Sequence, residues 1–134
     1  MHLEKGKVYI INDINSGKLA HMKDDVKNHF DTYTFLNFPD KNSLKITNCY
    51  KKLKNHIIEE AKREISHIIE EDFGLEDAEN SEKAMIISYL LLKEYDVLAV
   101  NTAGMSFYSI DYFKEKFTKI TVFLDRILIL YSDK

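Results

Sequence analysis

The sequence predicts an α/β fold: a three-layer sandwich with a mostly parallel sheet of four to five strands and helices on both faces. Three observations carry this. Short β-branched and aromatic runs, "KVYIIN", "YTFLNF", "DVLAV" and "ILILYS", recur along the 134 residues. Between them lie segments with apolar residues every three or four positions, the period of one helix face. The strand, helix, strand order also repeats, and right-handed crossovers of that kind stack parallel strands with helices on the faces.

Taken in order, residues 7–12 read as a central strand because they are β-branched and aromatic with few charges. After Ser16, the spacing of Leu19, Met22, Val26 and Phe30 predicts a helix that Asp31 and Thr32 end. "YTFLNF" follows as a strand running to Pro39. Residues 50–72 carry Leu53, Ile57, Ala61, Ile65, Ile68 and Ile69 on one face, with Gly74 as the expected stop. Glu59 and Arg63, four residues apart, form an expected exposed pair. The charges of this helix oppose its macrodipole, with Lys51, Lys52 and Lys54 at the positive end and Glu70, Glu71 and Asp72 at the negative end.

A further helix begins near Asn80 or Ser81, and its run from Ala84 to Leu92 is apolar nearly all round, which predicts burial. "DVLAV" follows as a buried strand. Ser106 is placed to cap a helix over 107–117 with Ile110, Phe113 and Phe117 on one face. "KITVFL" then reads as a strand, and "ILILYS" as an edge strand after a turn at Asp125 and Arg126.

Length and composition limit the function classes. The chain fits one α/β domain, 1–134, long enough to bury roughly two thirds of its unfolded surface. With 45% hydrophobic and 31% charged residues, a packed core is expected and large disordered segments are not. No apolar run approaches the roughly 20 residues that cross a bilayer. "MHLEKGKVYI" has no secretory pattern, and one cysteine, Cys49, agrees with a reducing compartment, so a cytoplasmic location is expected.

Charge is uneven. Residues 1–56 carry ten Lys against six acids, whereas residues 57–134 carry nine basic groups against sixteen acids. Ten of those acids lie between Glu59 and Glu82, opposed there only by Lys62 and Arg63. Two Arg among nineteen cationic residues, and no aromatic series within the basic cluster Lys41–Lys54, argue against nucleic-acid binding.

Ligands in open parallel sheets gather beyond the carboxyl ends of the strands. Two loops qualify: "NDINSGK" after the first strand and "NTAGMS" after "DVLAV". They offer Asn12, Asp13, Asn15, Ser16, Gly17, Lys18, Asn101 and Thr102 as ligand-binding candidates. Neighbouring strands 8–12 and 96–100 would bring them to one crevice, with Lys18 paired to Asp13 across the helix start.

The first loop resembles the phosphate-binding loop of nucleotide hydrolases, G-x-x-x-x-G-K-[ST], at Gly17 and Lys18. Asn12 replaces its first glycine and Leu19 its metal-binding hydroxyl, and "AVNTAG" places Asn101 where that family carries an acid. "DIN" at Asp13–Asn15 is similar to the first acidic strand end of PIN-type nucleases. That resemblance implies divalent-metal ligands, with Asp13 joined by Glu60 or Glu64 and by Glu79 or Glu82. His56 and His67 lie roughly 16 Å apart along one helix, which excludes a shared metal.

Two functions follow from these readings. The first is a non-catalytic interaction protein with no cofactor, whose acidic face over 59–82, represented by Glu70, Glu71 and Asp72, engages a basic protein partner. Size and charge match small immunity or antitoxin proteins by analogy. The second is a nucleotide- or phosphate-binding enzyme or sensor with a degenerate phosphate loop, or a PIN-like nuclease.

Overall fold

The computed structural model describes residues 2–37, 48–73 and 80–132. Its centre is a four-stranded parallel sheet of β1 (Lys7–Ile11), β2 (Tyr33–Asn37), β3 (Val97–Asn101) and β4 (Ile127–Tyr131), in the spatial order β1-β4-β3-β2. Helix α1 (Ser16–His29) joins β1 to β2. Helices α2 (Asn55–Ile69) and α3 (Asn80–Leu92) join β2 to β3, and α4 (Phe107–Leu124) joins β3 to β4.

Topology explains the layers. The connection from β1 to β2 traverses the whole sheet, and the chain then returns strand by strand through β3 to β4. Right-handed crossovers in opposite directions must lie on opposite faces, so α1 takes one face and the other three helices take the other. Met22 and Val26 of α1 pack on Val97, Ala99, Ile127 and Ile129. Across the sheet, Leu98, Val100, Leu128 and Leu130 meet Met85, Ile86, Phe113, Phe117 and Ile120, with Ile65 and Ile69 of α2 in the same cluster. The expected three-layer sandwich is the observed architecture.

Helix α2 packs mainly on α4 and α3. That outer cover is why α3 can be apolar on nearly every side: Ala84 to Tyr89 are all buried. The Phe113 and Phe117 rings, one turn apart, meet with centroids 4.8 Å apart and anchor α4 in this layer.

Five details differ from the sequence reading. Residues 7–12, read as a central strand, form β1 at an edge of the sheet, paired with β4. "KITVFL" is the last part of α4, not a strand. Phe113, Phe117, Ile120 and Thr121 continue one buried helical stripe, and the Thr121 hydroxyl donates to the Phe117 carbonyl at 2.8 Å, so packing overrides the β-branched propensity. "ILILY" is central rather than an edge, because it pairs with both β1 and β3 and is buried on both sides. Helix α2 starts at Asn55 after a separate helical turn at 48–51, and it ends on left-handed Glu70 (φ 60°) rather than at Gly74. Glu59 pairs with Lys62 at 3.6 Å, not with Arg63. Phe38 and Pro39, Gly74, the cluster residues Lys41 and Lys45, and the acids Glu76, Asp77 and Glu79 lie outside the described residues.

Among the described residues, no helix is long and apolar enough to cross a membrane. Cys49 is half-buried against the helical core.

Candidate functional site

The final rung of the sheet is Ile11, Tyr131, Asn101 and Asn37, in that order. Strand β4 therefore separates the two candidate loops, which leave from strands roughly 10 Å apart. The continuation of β4 fills the space between them. The Ser132 N–H donates to the Ile11 carbonyl at 3.0 Å, and the Ser132 carbonyl accepts from the Ile14 N–H at 2.8 Å. On the other side, both the Thr102 N–H (2.7 Å) and its hydroxyl (3.1 Å) donate to the Tyr131 carbonyl. The two loops are stitched to opposite sides of β4 instead of facing a shared crevice.

Within the first loop, Asn15 is the N-cap of α1: its Oδ1 accepts from the Lys18 N–H at 2.8 Å. A Cβ on Gly17 would sit 3.4 Å from that oxygen, so the glycine gives the cap room. Asp13 adopts a left-handed backbone (φ 53°), and its N–H donates to the Ser132 hydroxyl at 3.3 Å. Neither Asp13 nor Lys18 makes an ion pair among the described residues, in contrast to the expected pairing. The cap already satisfies the helix start, and an exposed pair would add at most about 1 kcal/mol. Asn12, Ser16 and Lys18 are exposed.

In the second loop, the Asn101 amide donates to Asn37 Oδ1 and its carbonyl oxygen accepts from the Ala103 N–H, both at 3.0 Å. Asn101 thus turns toward β2, away from β1. Ser106 caps α4 as expected, accepting from the Ser109 N–H at 3.1 Å. Polar atoms here hold backbone in place. That is a structural use of residues which sequence pattern alone assigns equally well to a ligand.

The acidic segment divides. Glu64 accepts from the Tyr89 hydroxyl at 2.5 Å and from Lys93 Nζ at 2.9 Å. The Tyr89 hydrogen bond, with Lys93, holds its carboxyl below the usual range, while burial and Glu64 push the Tyr89 phenol far up. Glu71 accepts from Lys116 Nζ, and this contact raises the otherwise buried Lys116. Lys119 Nζ reaches the Ile69 carbonyl at 3.3 Å. Lysines of α4 thereby offset Glu71 and the Ile69 carbonyl at the carboxyl end of α2, which relieves part of the unfavourable dipole pattern.

Glu70 and Asp72 remain exposed without an ion pair among the described residues. Next to them, Tyr112 lies under Lys116 (5.2 Å to the ring), and burial, Glu82 and Glu71 raise its phenol. One turn earlier on the same stripe stands Tyr108, 81% exposed, with Phe107 beside it at 83%. The sequence carries no signal for this aromatic exposure, since both residues sit at helical positions adjoining a buried stripe.

Beside the last two turns of α2, near the carboxyl end of α4, lies a hollow of about 450 Å³, lined by Arg63, Glu64, His67, Ile68, Tyr89 and Phe123. Sequence reasoning treats Arg63 and His67 as surface residues; their one-turn spacing is the signal that places them together. Among the described residues, no cluster of three or more His, Cys, Asp or Glu side chains is set to hold a metal. Of the PIN-type candidates, Glu64 is bonded to Tyr89 and Lys93, and Glu79 lies outside the described residues.

No protein-family model matches this chain, and no curated protein matches it either.

Proposed function

We propose that the protein is a non-catalytic interaction module that engages a basic protein partner through the acidic and aromatic surface at the carboxyl end of α2 and the start of α4. The observation that carries this reading is the outward display of Phe107 and Tyr108 on the stripe that reaches Glu71 through Tyr112 and Lys116. Exposed aromatic side chains bury large area with little loss of conformational freedom, and they dominate many interfaces. Glu70 and Asp72, flanking Glu71 at the other end of that stripe, add negative charge that steers a cationic surface toward the aromatic anchors. The tight internal use of Asn15, Asn101, Thr102 and Ser132 supports binding rather than chemistry at the sheet edge.

Affinity capture from the source cell, with quantitative identification of bound proteins at low and high salt, tests the reading. A basic protein should be retained by the native chain, be released as salt rises, and be lost with Tyr108→Ala and with Glu70→Lys/Asp72→Lys. Equal retention by these variants, or capture of no basic protein, overturns the proposal.

A further inference from the structure

We propose that the hollow between α2, α3 and α4 is a binding site for a small monocarboxylic acid with an aromatic or aliphatic body. This site takes Phe123 from the far end of α4 relative to Phe107 and Tyr108, and it does not rest on the proposed partner surface. Its volume, about 450 Å³, is that of a small-molecule pocket. Ile68, Phe123 and the ring of Tyr89 supply apolar wall, and Phe123, 63% exposed, leaves apolar area that a ligand in the hollow would cover.

Charge selects the head group. Of the one acid and two basic side chains within the lining, Glu64 is already engaged, by the Tyr89 hydroxyl and Lys93 Nζ. Arg63 and His67 make no ion pair among the described residues, because Glu59 pairs with Lys62 instead. They stand one helical turn apart on the same face of α2, so both can reach one anion at the rim. A guanidinium donates two parallel hydrogen bonds to a planar carboxylate, a match that neither an alcohol nor an amine provides. A carboxylate at Arg63 therefore directs its apolar body toward Ile68 and Phe123.

The test is a heteronuclear NMR titration of the full chain with 3-phenylpropionate, with 3-phenylpropan-1-ol as the uncharged counterpart. Saturable shifts should centre on Ile68, Tyr89 and Phe123, and the acid should bind at least about tenfold more tightly than the alcohol. Arg63→Gln, an exposed substitution, should weaken the acid about tenfold while leaving the alcohol unchanged. Tyr108→Ala, at the far end of α4 from Phe123, should leave both affinities unchanged, which separates this site from the partner surface. Equal affinities for acid and alcohol, an unaffected Arg63→Gln variant, absence of saturable binding, or shifts centred elsewhere overturn the proposal. A short peptide ending in Phe that binds about tenfold more tightly than 3-phenylpropionate also overturns it, by assigning the hollow to a chain terminus.

Discussion

Two neighbouring stretches of the α2–α4 seam use positive charge in opposite ways. Just past the end of α2, Lys116 and Lys119 reach across from α4 to Glu71 and the Ile69 carbonyl, and Lys116 is only 8% exposed. In the last two turns of α2, Arg63 and His67 stand over a hollow and have no ionic partner among the described residues. A buried cation without a partner would be costly, so the Lys116–Glu71 pair supports the folded state. An exposed unpaired cation costs little, so the second leaves its hydrogen-bonding capacity for something outside the chain. The comparison separates charge that holds the helices together from charge that is open to a ligand.

Substitutions can break this contrast. The largest effect should come from Phe117→Ala, which empties the core packing of α4: about 3–5 kcal/mol lost in chemical denaturation. Lys116→Ala should cost about 1–3 kcal/mol, through the lost charged hydrogen bond and the packing of its stem. By contrast, Arg63→Ala should change stability by no more than about 0.5 kcal/mol. Equal losses for the two cations, read from paired urea titrations, would remove the distinction between the two stretches.

Tyr89→Phe sharpens the comparison at the hollow. Deleting the hydroxyl should cost about 1 kcal/mol near neutral pH. Because the folded state depresses Glu64 below 4.5, its contribution is present above that value and is lost as pH falls through the lower folded value. The variant relieves much of that depression. Its stability should therefore fall less steeply than that of the native chain below about pH 4.5, as measured by thermal melts across the acid range.

The smallest effect concerns the helix ends. Both α2 and α4 finish on left-handed acids, Glu70 at φ 60° and Asp125 at φ 56°. Glycine adopts this conformation without the Cβ penalty, so Glu70→Gly should stabilise by up to about 1 kcal/mol. Asp125→Gly should give less, since Asp tolerates the left-handed region better than Glu. Thermal melts of the two variants check the order.

Local information explains what was legible without coordinates. The apolar period of α1, the core positions Ala61, Ile65 and Ile69 of α2, the burial of α3, and the Ser106 cap each depend on residues within a few turns and appear as read, whereas α2 buries Ile58 in place of the expected Ile57. So does the layering, because alternating strands and helices admit few right-handed arrangements. Half of the candidate sheet-edge loop was also readable: "NDINSGK" starts a helix, and Asn15 caps it.

The amino-acid sequence by itself thus determined the fold class, most element positions and the capping chemistry. Only the tertiary structure decided that β4 lies in the middle, that "KITVFL" stays helical, that Asp13 leans on Ser132 across 119 residues, and that Glu71 meets Lys116 across 45. Which cation is paired and which is left over the hollow was settled in the same way. Periodicity and caps are properties of neighbours along the chain, whereas strand order and ion-pair partners depend on which distant segments the crossovers bring together. Propensities of under about 1 kcal/mol per residue yield to the packing of whole side chains, worth about 1.5–3 kcal/mol each, wherever the two disagree.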